Sequence, residues 1–291
     1  MKMSDAVRLA RPTLSESSVR TYSSILSSLH RKCFGGELIL KDFQNTKKVL
    51  EFLHSKAAGS RKTVLSALVV LTQLDAYKQA MGADIATFSK DMAQQKNSAT
   101  QEAALISPAE IKKIYDRLVV EANLAYHKTH KTVSDLLLIS DMVIASLLSG
   151  VFIPPRRALD YCAFKIKNIN PEVDNRIEKN NLVFVTYKTA KTYGEQHITM
   201  PTPLKAILTK FVKLNPSDHL LFDSKFAPLN SVKLNQRLCN IFGKGRSINA
   251  LRHSYLTNRY TEFSKEEKEM EHDMQQMGSS PAMLNTYVKL E

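Results

Sequence analysis

Residues 132–148 constrain this chain more than any other stretch. They read as a helix that is apolar on most of its circumference. One neighbour cannot cover such a helix, so it belongs at the centre of a domain, packed on several sides. The chain then runs Ser149-Gly150-Val151-Phe152-Ile153-Pro154-Pro155-Arg156-Arg157-Ala158-Leu159-Asp160-Tyr161. Two prolines forbid a continuous helix. Two arginines are therefore presented at the end of a buried helix.

The chain has 291 residues, enough for two ordinary domains with real cores. Its 41 Lys and Arg against 28 Asp and Glu give a formal charge of +13. That balance favours a polyanionic partner, nucleic acid first and an anionic membrane surface second. Cys33, Cys162 and Cys239 form no CxxC pair, so neither a zinc site nor a disulfide framework is indicated. Each reads as a small core filler. No apolar run reaches the roughly 18 residues of a membrane span, and no apolar leader follows Met1. The expectation is an intracellular, soluble, DNA-associated protein.

From the N-terminus, residues 1–12 read as a loose basic arm. Thr13 and Glu16 then have capping-box spacing. Helical periodicity follows from Val19 to Leu29, over 46–55, and over 60–81, where Gly82 reads as the stop; a short helix is expected near 84–94. Residues 1–95 thus form a helical domain. Arg20, Arg31, Lys32, Lys47, Lys48, Lys56, Arg61 and Lys62 on its polar faces are candidates for phosphate neutralisation or for plain solvation. Residues 96–106 have linker composition, and 107–291 form a second domain. There Ser107-Pro108-Ala109-Glu110 supplies an N-cap, a first-turn proline and an acid. Strands are expected at 164–169, 182–187 and 197–200, with a hairpin turn at 188–195 carrying Lys188 and Lys191. Helices follow at 204–214 and 231–242. Another is expected from Ser264, whose Ser-Lys-Glu-Glu repeats the capping spacing, to Met277. A last short one begins at Pro281.

Between these lies Ser247-Ile248-Asn249-Ala250-Leu251-Arg252-His253-Ser254-Tyr255. Ile248, Leu251, Tyr255 and Leu256 mark one helix face. Asn249, Arg252 and His253 share a neighbouring one. An arginine on a half-buried helix holds an anion with a planar, permanently charged fork.

Asn-Ala-Leu-Arg-His-Ser-Tyr resembles the second conserved box of the tyrosine recombinases, the phage-integrase family, usually His-x-Leu-Arg-His. The other boxes occur in family order. Arg157 with Asp160 reproduces the Arg-x-x-acid spacing after a long apolar helix, with Arg156 as the alternative register beside the Pro-Pro insertion. Lys188, or Lys191, stands where the family carries a lysine on a β-hairpin. Met277-Gly278-Ser279-Ser280, then Tyr287, resembles the closing box with its nucleophilic tyrosine. Asn249 replaces the usual His or Lys, and Ser279 replaces His or Trp. The resemblance implies a mainly α fold with a small antiparallel β-sheet, built as a helical core-binding domain plus an α+β catalytic domain.

It also implies the chemistry. The tyrosyl oxygen of Tyr287 would attack a phosphodiester of double-stranded DNA, forming a 3′-phosphotyrosine and releasing a 5′-hydroxyl, with no metal or cofactor. Arg157 and Arg252 would hold the non-bridging oxygens. Lys188 would protonate the leaving oxygen. Asn249 would hydrogen-bond a phosphate oxygen but exchange no proton, and Ser279 would be a weaker donor than the usual His or Trp. A tetramer on paired sites is the implied assembly. Only four residues follow Tyr287, so the coupling contact that many members place in a longer tail would fall to another element, such as the N-terminal arm. A monomeric type IB topoisomerase, and a DNA-binding protein with a decayed site, are the alternatives.

Overall fold

The computed structural model describes residues 2–93 and 97–288, with Asp91, Met92, Asn285 and Tyr287 by backbone alone. The chain divides into two compact units, Met1–Asn97 and Ser98–Glu291.

The first unit is helical: α1 Met3–Ala10, α2 Glu16–Cys33, α3 Thr46–His54, α4 Ala58–Thr72 and α5 Asp75–Ala93. The expected loose arm is α1, because Met3, Ala6 and Val7 project together and are buried. Arg8 grips Glu16 through both carboxylate oxygens, at 2.6 and 2.9 Å. Glu16 is thereby removed from the expected capping box, and Ser15 caps α2 instead of Thr13, accepting the Ser18 N–H. The helix expected over 60–81 is two helices. Gln73 turns left-handed, at φ 57°, and its N–H still closes on the Val69 carbonyl. The chain then folds back. Lys62 lies over the Phe88 ring at 3.8 Å, and Ser66 meets Met81 at 3.4 Å, so α4 and α5 run antiparallel. Gly82 ends nothing; it lies inside α5, which also absorbs the short helix expected at 84–94. Tyr77, fully buried, donates to the Phe43 carbonyl at 2.7 Å across the core. Arg61 leaves the set of candidate phosphate contacts, being tied to buried Asp84 and to the carbonyls of His54 and Lys56.

In the second unit, part of the expected linker is helix α6 Ala99–Ala104, closed by a Ser98–Gln101 capping box. Next come α7 Pro108–His127, capped by Ser107 as its sequence indicates, and α8 Val133–Leu148, capped reciprocally by Thr132 and Asp135. Every residue of α8 from Ile139 to Leu148 except Asp141 is buried, confirming it as the central helix. Around it pack α11 Thr202–Leu214 and α12 Ser231–Phe242. Arg237 of α12 reaches α8, donating to Asp141 at 2.6 Å and to the Leu137 carbonyl at 2.7 Å.

The sheet is mixed, where an antiparallel one was expected. Among the described residues it has four strands in sequence order: β1 Phe164–Lys165, β2 Asn175–Glu178, β3 Asn181–Phe184 and β4 Gln196–Thr199. The β1–β2 pair is parallel and the other two pairs are antiparallel. Strand β2 escapes a reading by pattern because Asn-Arg-Ile-Glu has no β-branched run; its pairing with β3 creates it.

Candidate functional site

The site begins where α8 ends. Gly150 adopts φ +87°, and a Cβ there would lie 2.5 Å from Cδ2 of Tyr255. Only glycine both turns the chain at this point and admits that ring. Tyr255 belongs to α13 Ile248–Gln276, so α13 lies hard against the end of α8. The start of α13 is fixed by Asn235, whose Oδ1 accepts the Ile248 N–H at 2.9 Å. Buried Ser254 holds it from the other side, accepting the Ile106 N–H at 3.1 Å. Ile248 and Leu251 face inward as expected, whereas Leu256 is exposed.

This packing brings the arginines together. Arg252 donates its Nε–H to the Pro155 carbonyl at 3.2 Å, a contact spanning 97 positions of sequence. Arg157 stands at the N-cap of the short helix α9 Ala158–Cys162. Burial holds the Asp160 carboxyl above the ordinary carboxylate range, against the opposing charges of Arg156, Arg157 and Arg252. Burial and then the charge of Arg157 lower the Arg252 guanidinium in turn. Arg156, Arg157, Asp160 and Arg252 thus form one cluster, with an excess of positive charge in a half-buried setting.

The two adjacent arginines differ in employment. Arg156 donates Nε–H to Asp160 at 3.1 Å and Nη1–H to Gln196 at 2.7 Å. Its guanidinium carbon also lies 4.1 Å from the Phe184 ring centre and 4.9 Å from that of Tyr187. Arg157, half-buried, makes no side-chain hydrogen bond or ion pair among the described residues. Behind them sits Asn175, fully buried and fully satisfied. It donates to the carbonyls of Asp160 and Thr186, at 2.8 and 2.9 Å, and accepts from the N–H groups of Val185 and Thr186. Asn175, Gln196 and Tyr187 were not singled out from sequence. Each gains its importance from a partner distant in the chain.

Lys188 is exposed in the turn after β3, and Lys191 is exposed on α10 Ala190–Tyr193, a helical turn inside the expected hairpin loop. Neither makes a side-chain hydrogen bond or ion pair among the described residues, although Lys188 directly follows Tyr187. Asn249 is exposed and His253 half-buried on the first turns of α13.

Ser279 lies elsewhere. The helix expected to start at Ser264 is absent as a separate element; α13 continues unbroken to Gln276. It ends in a left-handed turn at Gly278, with the Ser279 N–H bonded to the Met274 carbonyl at 2.8 Å. At 1.5 Å per residue, that end is about 36 Å from Arg252 along the axis. Pro281–Met283 forms a 3-10 turn packed on α13, and Tyr287 closes the short helix α14 Leu284–Tyr287. Its side chain lies outside the described ones.

The fold, mainly α with a small sheet, is the one seen in lambda integrase. The structure of a lambda integrase (75–356) dimer bound to a COC′ core site matches with TM-score 0.50 at 16% identity, covering 99% of this chain and 96% of that one. Lambda integrase (residues 75–356) bound to DNA gives 0.49 at 15%, over 91% and 89%. XerH site-specific recombinase bound to difH substrate, in a pre-cleavage complex, gives 0.40 at 13%, over 89% and 85%. The likeness is one of fold. No family model matches the sequence, and no curated protein matches it. Among the described residues no helix is long and apolar enough to cross a membrane.

Proposed function

We propose that this chain is a site-specific DNA strand transferase, cutting and rejoining duplex DNA through a 3′-phosphotyrosyl intermediate. The observation that supports it most is the convergence of Arg157 and Arg252, from distant parts of the sequence, beside a neighbour already committed to Asp160. Two preorganised forks suit the non-bridging oxygens of a phosphodiester, on which charge builds in the transition state. The free fork is Arg157, which favours it over Arg156 for this role. Lys188 is assigned as general acid to the leaving 5′-oxygen, Tyr287 as nucleophile, and Asn249 as a further donor to phosphate. Ser279 would join them only if the end of α13 reached the same phosphate. Because the phosphotyrosine keeps the energy of the broken bond, rejoining would need no ATP. The helical unit, with the chain's excess of 13 positive charges, would grip DNA mostly through phosphates. Assembly as a tetramer on paired sites completes the reading.

The test is covalent capture. The protein is incubated in EDTA with supercoiled plasmid and run on denaturing gels beside Tyr287→Phe, Arg157→Ala and Arg252→Ala. An adduct is expected with wild type and none with Tyr287→Phe. Each arginine variant should lose about 10²–10³-fold in rate. Tight binding by all four proteins with no adduct would overturn the proposal in favour of a DNA-binding role. Product topology separates recombination from relaxation.

A further inference from the structure

One guanidinium touches both ends of the loop that carries the lysines. Residues 185–195 leave the sheet after Phe184, the last residue of β3, and return at Gln196, the first of β4. These two are paired in register. Arg156 stacks on Phe184 and on Tyr187 on the outgoing side and donates to Gln196 on the returning side. Its Nε–H is spent on Asp160 of α9. Tyr187 closes the loop across its neck by donating to the Gly194 carbonyl at 2.6 Å. Asn175 repeats the linkage from behind, joining the carbonyls of Asp160 and Thr186.

From this we infer that Arg156 is a positioning residue: it straps the loop bearing Lys188 to the helix bearing Arg157, so that the general acid is set relative to the phosphate clamp. The inference rests on the strand-transfer reading. In the step concerned, the Tyr287 oxygen attacks as the phenolate, its proton having passed to solvent; it forms a bond to phosphorus, and the bond from phosphorus to the 5′-oxygen breaks. The Lys188 ammonium gives its proton to that leaving oxygen. The electron pair of the broken bond stays with the oxygen, and no redox partner is needed. An arginine suits the strap because its fork serves two carbonyl-type oxygens in one plane while its face lies on aromatic rings. A lysine offers a point charge with no such face.

Two experiments test this, and they fail independently. The first needs no DNA: trypsin cleavage after Lys188 and Lys191 is timed on the full chain. Variants are Arg156→Lys, and Gln196→Ala, which leaves the Arg156–Asp160 pair intact and so guards against misfolding. Both should cut at least about tenfold faster than wild type there, corresponding to about 1.4 kcal/mol less protection, with unchanged far-ultraviolet circular dichroism. Unchanged cutting in both would overturn the strap. The second uses a synthetic duplex spanning the plasmid position where the adduct forms, made with oxygen or with sulfur at the bridging 5′ position. A thiolate leaves without a proton, so a misplaced acid matters only for oxygen. Both variants should lose about 10²-fold on oxygen and stay within about tenfold of wild type on sulfur. Equal losses on the two duplexes would overturn the positioning role, placing Arg156 on the phosphate or in the fold alone. If wild type cleaves neither duplex, the strand-transfer reading fails and takes the positioning role with it, while proteolysis still decides the strap.

Discussion

Gly150→Ala should damage this protein out of proportion to one methyl group. Two costs add. The backbone at φ +87° is a left-handed conformation that costs an alanine about 1–2 kcal/mol. The new Cβ would lie 2.5 Å from Cδ2 and 3.2 Å from Cε2 of Tyr255. Carbon atoms rest at about 3.5–4.0 Å, so the ring must retreat by about 1 Å, and overpacking of this kind costs about 1–3 kcal/mol. The expected loss is about 2–5 kcal/mol. Because Tyr255 sits one turn from Arg252 on α13, any retreat moves that arginine's support as well. The assay is urea unfolding followed by circular dichroism, which suits a chain with no tryptophan. It should be run as a cycle with Tyr255→Ala. With the ring gone only the backbone cost remains, so Gly150→Ala should then cost about 1–2 kcal/mol. Equal costs in the two backgrounds would refute the packing argument, and a cost below about 0.5 kcal/mol in wild type would refute both parts.

Arg237→Ala should lower the stability of the second unit by about 2–4 kcal/mol in calorimetry, less than for a fully buried pair because Asp141 keeps 27% side-chain exposure. Arg237→Met with Asp141→Leu should recover most of it, since the damage comes from the carboxylate left behind. Asp135 gives a pH signature. Its hydrogen bonds from Lys128 and Thr132 depress its carboxyl from 3.8 to about 2. The depressed group contributes stability that is present above pH 3.8 and lost as pH falls through about 2. The gap in melting temperature between wild type and Asp135→Asn should therefore be full at pH 5 and shrink towards pH 2; a gap independent of pH would remove the charge from the explanation.

Much of the second unit was legible because its signals are local. The cap at Ser107, the first-turn proline at 108 and the apolar run of α8 each depend on residues a few positions apart. The failures are non-local. Gln73 breaks α4 from α5 with neither glycine nor proline, because folding α5 back on α4 buries both apolar faces; the apolar pattern reads straight through it. Ser264 has cap spacing but lies inside α13, and Glu16 has cap spacing but pairs with Arg8. At the site, the arginine boxes were readable as motifs. Which arginine is free was not, since Arg156 is occupied by Asp160, Gln196 and two rings that only the fold delivers.

The unbroken α13 works as a boom. It carries the proposed nucleophile outward from the arginines that it anchors at its root. The stretch from Met277 to Tyr287, with its helical turns kept, reaches about 25 Å, against the roughly 36 Å of helix to be retraced. If Tyr287 attacks a phosphate held by Arg157 and Arg252, either α13 opens or the tyrosine serves the arginines of a second copy. On that reading a single intact chain would keep Tyr287 away from Arg157 and Arg252.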